Sequence, residues 1–172
     1  MIDKKMEDAI NKQINEEAYS AYLYMSMSAY FSSVNLLGFA HWMLIQAHEE
    51  YMHSKILYNF ILDRGGKIKL APIEGPKTEW KSAEEAFADA YKHEQHITSC
   101  INTLMDLAIS LKDHASTSML NWFVSEQVEE EANASGILEK IKLAAGNSGG
   151  LFMIDKDLAA RVFNTASFPI TE

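Results

Sequence analysis

Glu50 and His53 stand three residues apart inside an apolar helical pattern, so an acid and an imidazole share one face of one helix. Phe39, Met43, Leu57 and Phe60 fall near the same 3.6-residue stripe. That stripe turns the pair toward the interior of a helix bundle rather than toward water. A carboxylate in such a place must find a cation or take up a proton. An inward-facing Glu-x-x-His is the arrangement by which carboxylate-bridged bundles hold two metal ions.

The acids recur with a fixed offset. Shifting residue numbers by 77 carries Glu17 onto Glu94, Glu49 onto Glu126, Glu50 onto Gln127 and His53 onto Glu130. Two helix hairpins related by a pseudo-two-fold axis would bring these positions to a common centre. Glu17, Glu50, Glu94 and Glu130 supply four negative charges against neutral His53 and Gln127, which two divalent cations neutralise and one does not. Oxygen-rich ligation with a single imidazole suits iron or manganese better than a closed tetrahedral zinc site. The expected division puts Glu17 and His53 on one metal, Glu94 and Glu130 on the other, with Glu50 bridging and Gln127 beside the second.

Around this set, Glu49, Glu126 and Glu129 adjoin the inward acids. They form either a third cation site with Glu130 or a solvated acidic helix face. Tyr24, two turns beyond Glu17, is placed to hydrogen-bond a ligand, to donate an electron, or simply to pack. Trp122 reads as packing. His41, His48, His93, His96 and His114 read as surface or outer-sphere groups, and Met25, Met43 and Met119 as core filler.

These residues need long helices to position them. The pattern predicts one from about Lys5 to Ser33, capped by Asp3, with Ile10, Ile14, Ala21, Tyr24 and Phe31 inward. A second runs from the Val34–Gly38 break to about Arg64, before Gly65-Gly66. Residues 66–82 carry Pro72 and Pro76 with no helical period. A helix of about 27 residues is roughly 40 Å long, and an extended connector of this size reaches about 55 Å. The connector can therefore cross the whole bundle, so that the third helix starts where the second began. Ser82 with Glu85 marks a capping-box start for that helix, which runs to about Leu111. The fourth follows a tight turn at Asp113 and stops at Gly146. Ser148-Gly149-Gly150 reads as a turn, and about Asp155 to Thr165 as a short fifth helix, with Leu158, Val162 and Phe163 buried against copies of the chain. The expectation is an all-α fold over residues 1–172, one domain with a bundle from about 5 to 145.

Composition narrows the setting. The chain has 172 residues, 24 acids against 15 bases, and a net charge of −9, which disfavours nucleic acid as a partner and suits a protein that attracts cations. One cysteine, Cys100, excludes an intrachain disulfide and fits a reducing compartment, the cytoplasm. The N-terminal residues mix both charge signs, and no run of 18 apolar residues occurs, so neither secretion nor membrane insertion is expected.

Together these residues resemble the ferritin family, and within it the bacterial haem-free ferritins. The resemblance implies a ferroxidase centre at Glu17, Glu50, His53, Glu94 and Gln127, with Glu130 adjoining, Tyr24 nearby, and a third iron site at Glu49, Glu126 and Glu129. It implies a homo-oligomeric shell of 24 subunits that oxidises Fe(II) with dioxygen or peroxide and stores ferric oxyhydroxide. Bacterioferritins place a second Glu-x-x-His on the fourth helix and a methionine directly after the second-helix glutamate; Gln127-x-x-Glu130 and Tyr51 stand there, so no haem is expected. Vertebrate members line a three-fold channel with acids where this chain has Thr117 and Leu120. The rival readings are a rubrerythrin-like di-iron oxidase or peroxidase without storage, a DNA-protecting mini-ferritin, and a helical interaction protein with no metal.

Overall fold

A computed structural model describes residues 1–164 and 168–169. Its helices are α1 (Lys4–Ser33), α2 (Leu37–Asp63), α3 (Ala83–Ser110), α4 (His114–Leu143) and α5 (Ser148–Leu158). No described helix is long and apolar enough to cross a membrane.

Local chemistry sets the helix boundaries. Asp3 accepts from the Lys5 amide at 2.8 Å, and Asp113 accepts from the Ser116 amide at 3.2 Å, closing the first turns of α1 and α4. Ser82 accepts from the Glu85 amide at 3.1 Å. Glu85 reaches back to the Lys81 amide at 2.7 Å, one residue earlier than a capping box would have it. Three helices end on the same device. Asn35, Gly65 and Lys112 take positive φ of 60°, 70° and 54°. The next amide then bonds five residues back: Leu36 to Phe31, Gly66 to Ile61, and Asp113 to Ala108, at 3.0, 2.8 and 2.9 Å.

The connector between α2 and α3 crosses the bundle. Its start is held by Asn11, whose amide group donates to the Lys67 carbonyl and accepts from the Lys69 amide, at 2.9 and 2.6 Å. Its far end is held by Ser26, which donates to the Lys77 carbonyl at 2.7 Å. The chain thus climbs along α1 from residue 11 to residue 26. At the bottom, Arg64 forks onto Asp113 at 3.1 and 3.3 Å, so the end of α2 meets the end of α3 and the two helices run parallel.

Two apolar clusters sandwich a polar slab. One gathers Phe31, Phe39, Met43 and Phe87; the other gathers Ile10, Leu57, Ile97, Leu120 and Phe123. Most of the expected inward residues are buried, but Ala21 and Phe60 are only half-buried and Met25 is exposed rather than core filler, because Leu23, Tyr24 and Met27 take the inward positions around it.

The fifth helix departs from expectation. It spans Ser148–Leu158, not about Asp155 to Thr165, and the residue at 165 lies outside the described residues. Ser148-Gly149-Gly150 is its first turn rather than a hinge, because Asn147 accepts from the Gly149 and Gly150 amides at 3.0 and 3.2 Å. A side-chain cap outweighs the poor helix propensity of two glycines here. Leu158 is buried within the chain's own upper core, whereas Val162 is exposed.

Candidate metal centre

Each bundle helix sends polar groups into the slab. Glu17 and Tyr24 come from α1, Gln46, Glu50 and His53 from α2, Glu94 from α3, and Gln127 and Glu130 from α4, all buried. At this level the inward stripe of each helix switches from apolar to ionisable residues and back within one or two turns.

The α1–α2 half is open to a ligand. Ligand atoms of Glu17, Glu50 and His53 all lie within 4.8 Å of one another. His53 Nδ1 stands 3.3 Å from Glu50 Oε2 and 4.0 Å from Glu17 Oε2. Gln13 donates to Glu17 Oε1 at 2.9 Å, which leaves Oε2 bare. Among the described residues, Glu17 Oε2 and both ring nitrogens of His53 are the buried side-chain polar atoms without a hydrogen-bond partner. Such atoms cost about 1–3 kcal/mol each unless something binds them. The walls offer no relief: the His53 ring meets Trp122, Phe123 and Phe168 at centroid distances of 5.4, 5.8 and 5.9 Å.

The α3–α4 half is closed by internal hydrogen bonds. Tyr24 donates to Glu94 Oε1, and Gln127 donates to Glu94 Oε2 at 3.2 Å. Glu130 accepts from Gln46 at 2.7 Å, and the same amide nitrogen reaches Glu50 at 3.2 Å. Ligand atoms of Glu130, His53 and Glu126 also lie within 4.8 Å of one another. His53 lies between the Glu17–Glu50 side and the Glu130–Glu126 side, with a ligand atom near each.

Burial and mutual repulsion favour the protonated forms of these acids. Burial, then the Glu50 charge, pushes the Glu17 carboxyl up to about 8. Glu50, Glu94 and Glu130 are pushed up by burial first, then by Glu130, Glu50 and Glu94 respectively. Burial and the neighbouring carboxylates raise the Tyr24 phenol well above its ordinary value, so its O–H stays a donor to Glu94. His93, half-buried behind Tyr24 and 2.7 Å from Ser20 Oγ, is pushed down to about 4 by burial and is neutral. Two doubly charged ions would replace four protons and keep the slab neutral.

The outer acids behave differently. Glu126 is half-buried and Glu129 exposed, while Glu49 is ion-paired with Arg161. On the opposite face, between α1 and α3, Glu16 and His96 pair at 3.2 Å with Cys100 Sγ 3.6 Å from the same ring nitrogen.

Three contributors escaped the sequence reading. Gln13 and Gln46 each precede an inward glutamate by four residues, a spacing visible in the chain once the glutamates are singled out. Arg161 had no such signal, since it lies beyond the bundle and reaches the site only because α5 folds back.

Comparison with known proteins agrees with this geometry. The Ferritin-like domain family model matches residues 7–144. A bacterial non-heme ferritin of Bacteroides fragilis is 43% identical over 161 residues, 94% of this chain and 100% of the relative. One from Staphylococcus saprophyticus is 41% identical, covering 95% of this chain and 98% of its own. Among solved structures, a closed form of the Archaeoglobus fulgidus ferritin engineered by mutagenesis superposes with a TM-score of 0.94 at 45% identity, covering 95% of this chain and 100% of that one. The open pore ferritin from the same archaeon gives 0.93 at 45% identity, with 94% and 100% coverage. A buried carboxylate cluster between two parallel-running hairpins, on a chain this similar along nearly its whole length, leaves one assignment: the protein belongs to the ferritin family.

Proposed function

We propose that the chain is a ferroxidase: it oxidises Fe(II) at a two-iron centre as the first step of the iron storage that its family membership assigns to it. The observation that carries this reading is the group of bare buried atoms, Glu17 Oε2 and both His53 nitrogens, facing Glu50 in an apolar enclosure. Glu17, Glu50 and His53 bind the first Fe(II); Glu50, Glu94 and Glu130 bind the second, with Gln127 beside it. Iron is the substrate. Holding two ions about 3.5–4 Å apart lets both deliver one electron to the same oxidant. Dioxygen taking two electrons and two protons leaves as hydrogen peroxide; peroxide taking two electrons and two protons leaves as two waters. The protons displaced from the carboxyls on metal binding are available for this step. Tyr24 fixes Glu94, and Gln127 holds its other oxygen. Ferric iron then hydrolyses to oxyhydroxide.

Storage requires an enclosed volume, and the reading includes a homo-oligomeric shell of 24 subunits in the cytoplasm. Support comes from an apolar cleft of 650 Å³ formed by α1, α2 and the connector, flanked by exposed Tyr51, Tyr58, Leu70 and Ile73. An exposed apolar surface of this kind is characteristic of a face that another protein surface covers.

The test is aerobic addition of Fe(II) to the full chain. Fast oxidation with the iron retained in a soluble, ultracentrifugable assembly is expected. Oxidation with no iron retained would favour a rubrerythrin-like oxidase, and neither oxidation nor retention a metal-free interaction protein. Glu17→Ala should slow the fast phase while the assembly stays intact; unchanged kinetics would remove Glu17 from the centre.

A further inference from the structure

The segment after α5 returns to the metal centre and puts a cation of the chain's own into it. Asp155 of α5 accepts from the Gly38 and Phe39 amides at 2.8 and 3.0 Å, capping α2. Residue 38 must be glycine, because a Cβ there would fall 1.7 Å from the Asp155 carbonyl oxygen. His41 Nε2 lies 2.9 Å from the Arg161 carbonyl, which holds that backbone against α2. From this anchor the guanidinium stacks over Trp42, 4.4 Å from the ring centroid, donates to Gln46 Oε1 at 2.7 Å, and pairs with Glu49. A guanidinium has only donors, so it can meet only the oxygen end of the Gln46 amide. The amide nitrogen is thereby turned onto Glu130 and Glu50. Phe168 closes the other side, buried against His53 and Trp122.

We propose that Arg161 is a resident counter-ion of the inner acidic site: it holds the place a divalent ion would take beside Glu49, and it orients Gln46 toward Glu50 and Glu130. Glu49 can join Glu126 and Glu129 around a metal only when Arg161 withdraws. Arg161 acts as a positioning residue for the centre through Gln46, and as a competitor for cations at the third site. The C-terminal segment therefore sets how many cations each chain holds. This inference rests on the two-metal reading above, since it concerns ions leaving or joining that centre.

The experiment is equilibrium binding of Co(II), added alone, to the full assembled chain, with size-exclusion elution to confirm assembly. The native chain should bind about two ions and Arg161→Gln about three, with the extra ion lost again in Arg161→Gln/Glu126→Ala. Arg161→Lys keeps a positive charge beside Glu49 and should stay at about two ions; a rise to three would overturn the counter-ion role. A native chain that already binds three, or equal numbers in native and Arg161→Gln proteins, overturns the inference. Two ions in both leaves the two-metal reading standing; none in either removes both.

Discussion

The two hairpins occupy equivalent places in the bundle yet differ in how their polar groups are satisfied. In the α1–α2 half the carboxylate and imidazole point bare atoms at one another; in the α3–α4 half every glutamate oxygen that faces Tyr24, Gln127 or Gln46 already accepts a hydrogen bond. A cation entering the first half gains ligands that were uncompensated. One entering the second must displace or share bonds the protein has already made. The difference comes from single positions under the 77-residue offset. Gln46 corresponds to Phe123, Tyr24 to Ile101 and His53 to Glu130, so the first-hairpin donors that reach Glu130 and Glu94 have no counterparts in the second hairpin. On the two-metal reading, the half with bare atoms is expected to fill first.

The same asymmetry extends to the helix starts. Asp113 caps α4 from the adjacent residue, whereas among the described residues the α2 N-cap, Leu36, makes no side-chain bond and Asp155 of α5 supplies the cap instead. The α4 cap is local, whereas the α2 cap is supplied by the C-terminal segment.

The largest break in this comparison should follow removal of the shared acid. Glu50→Ala takes a ligand from both ions and should slow rapid Fe(II) oxidation by more than about a hundredfold in stopped-flow absorbance, beyond the roughly 10–100-fold cost of losing an outer-sphere partner. Next, Glu17→Ala and Glu94→Ala separate the halves. Calorimetric titration with a divalent ion should lose its tighter step in Glu17→Ala and only its weaker step in Glu94→Ala; the reverse pattern would invert the filling order.

The proton inventory gives a third test. The four central carboxyls titrate higher in the folded chain than in the unfolded one, so the folded state binds more protons between the two values. Their contribution to stability is therefore intact below the ordinary carboxylate range and lost as pH rises toward about 8, the value reached by Glu17. The melting temperature of the metal-free protein should fall across that interval. The increment gained on adding a divalent ion should grow across it, with proton release measurable in weak buffer.

A smaller effect is expected at the α2 cap. Asp155→Ala removes one side-chain cap, worth about 1 kcal/mol, and should lower the melting temperature by about 2–4 °C. The matching change at Asp113 should cost more, since that carboxylate also takes the Arg64 fork.

Much of the architecture is legible in the chain because helix periodicity is a local property. The stripes through Ile10, Phe39, Phe87 and Phe123 and the caps at Asp3, Ser82 and Asp113 depend on neighbours within a turn or two. The crossover follows from connector length against helix length. The central acids stand out because ionisable residues inside an apolar stripe have few physical explanations. The fifth helix escaped for the opposite reason: its weak apolar pattern was outweighed by the Asn147 cap and by docking of Asp155 onto α2, a contact 117 residues away in sequence.

Sequence alone thus determined the four bundle helices, their order and which acids turn inward, all set by spacing along one chain. Tertiary structure decided which of those acids are left bare, which are already bonded, and that a cation from beyond the bundle sits on Glu49. Satisfaction of a buried polar atom depends on partners from other helices within about 3 Å, and periodicity carries no information about them.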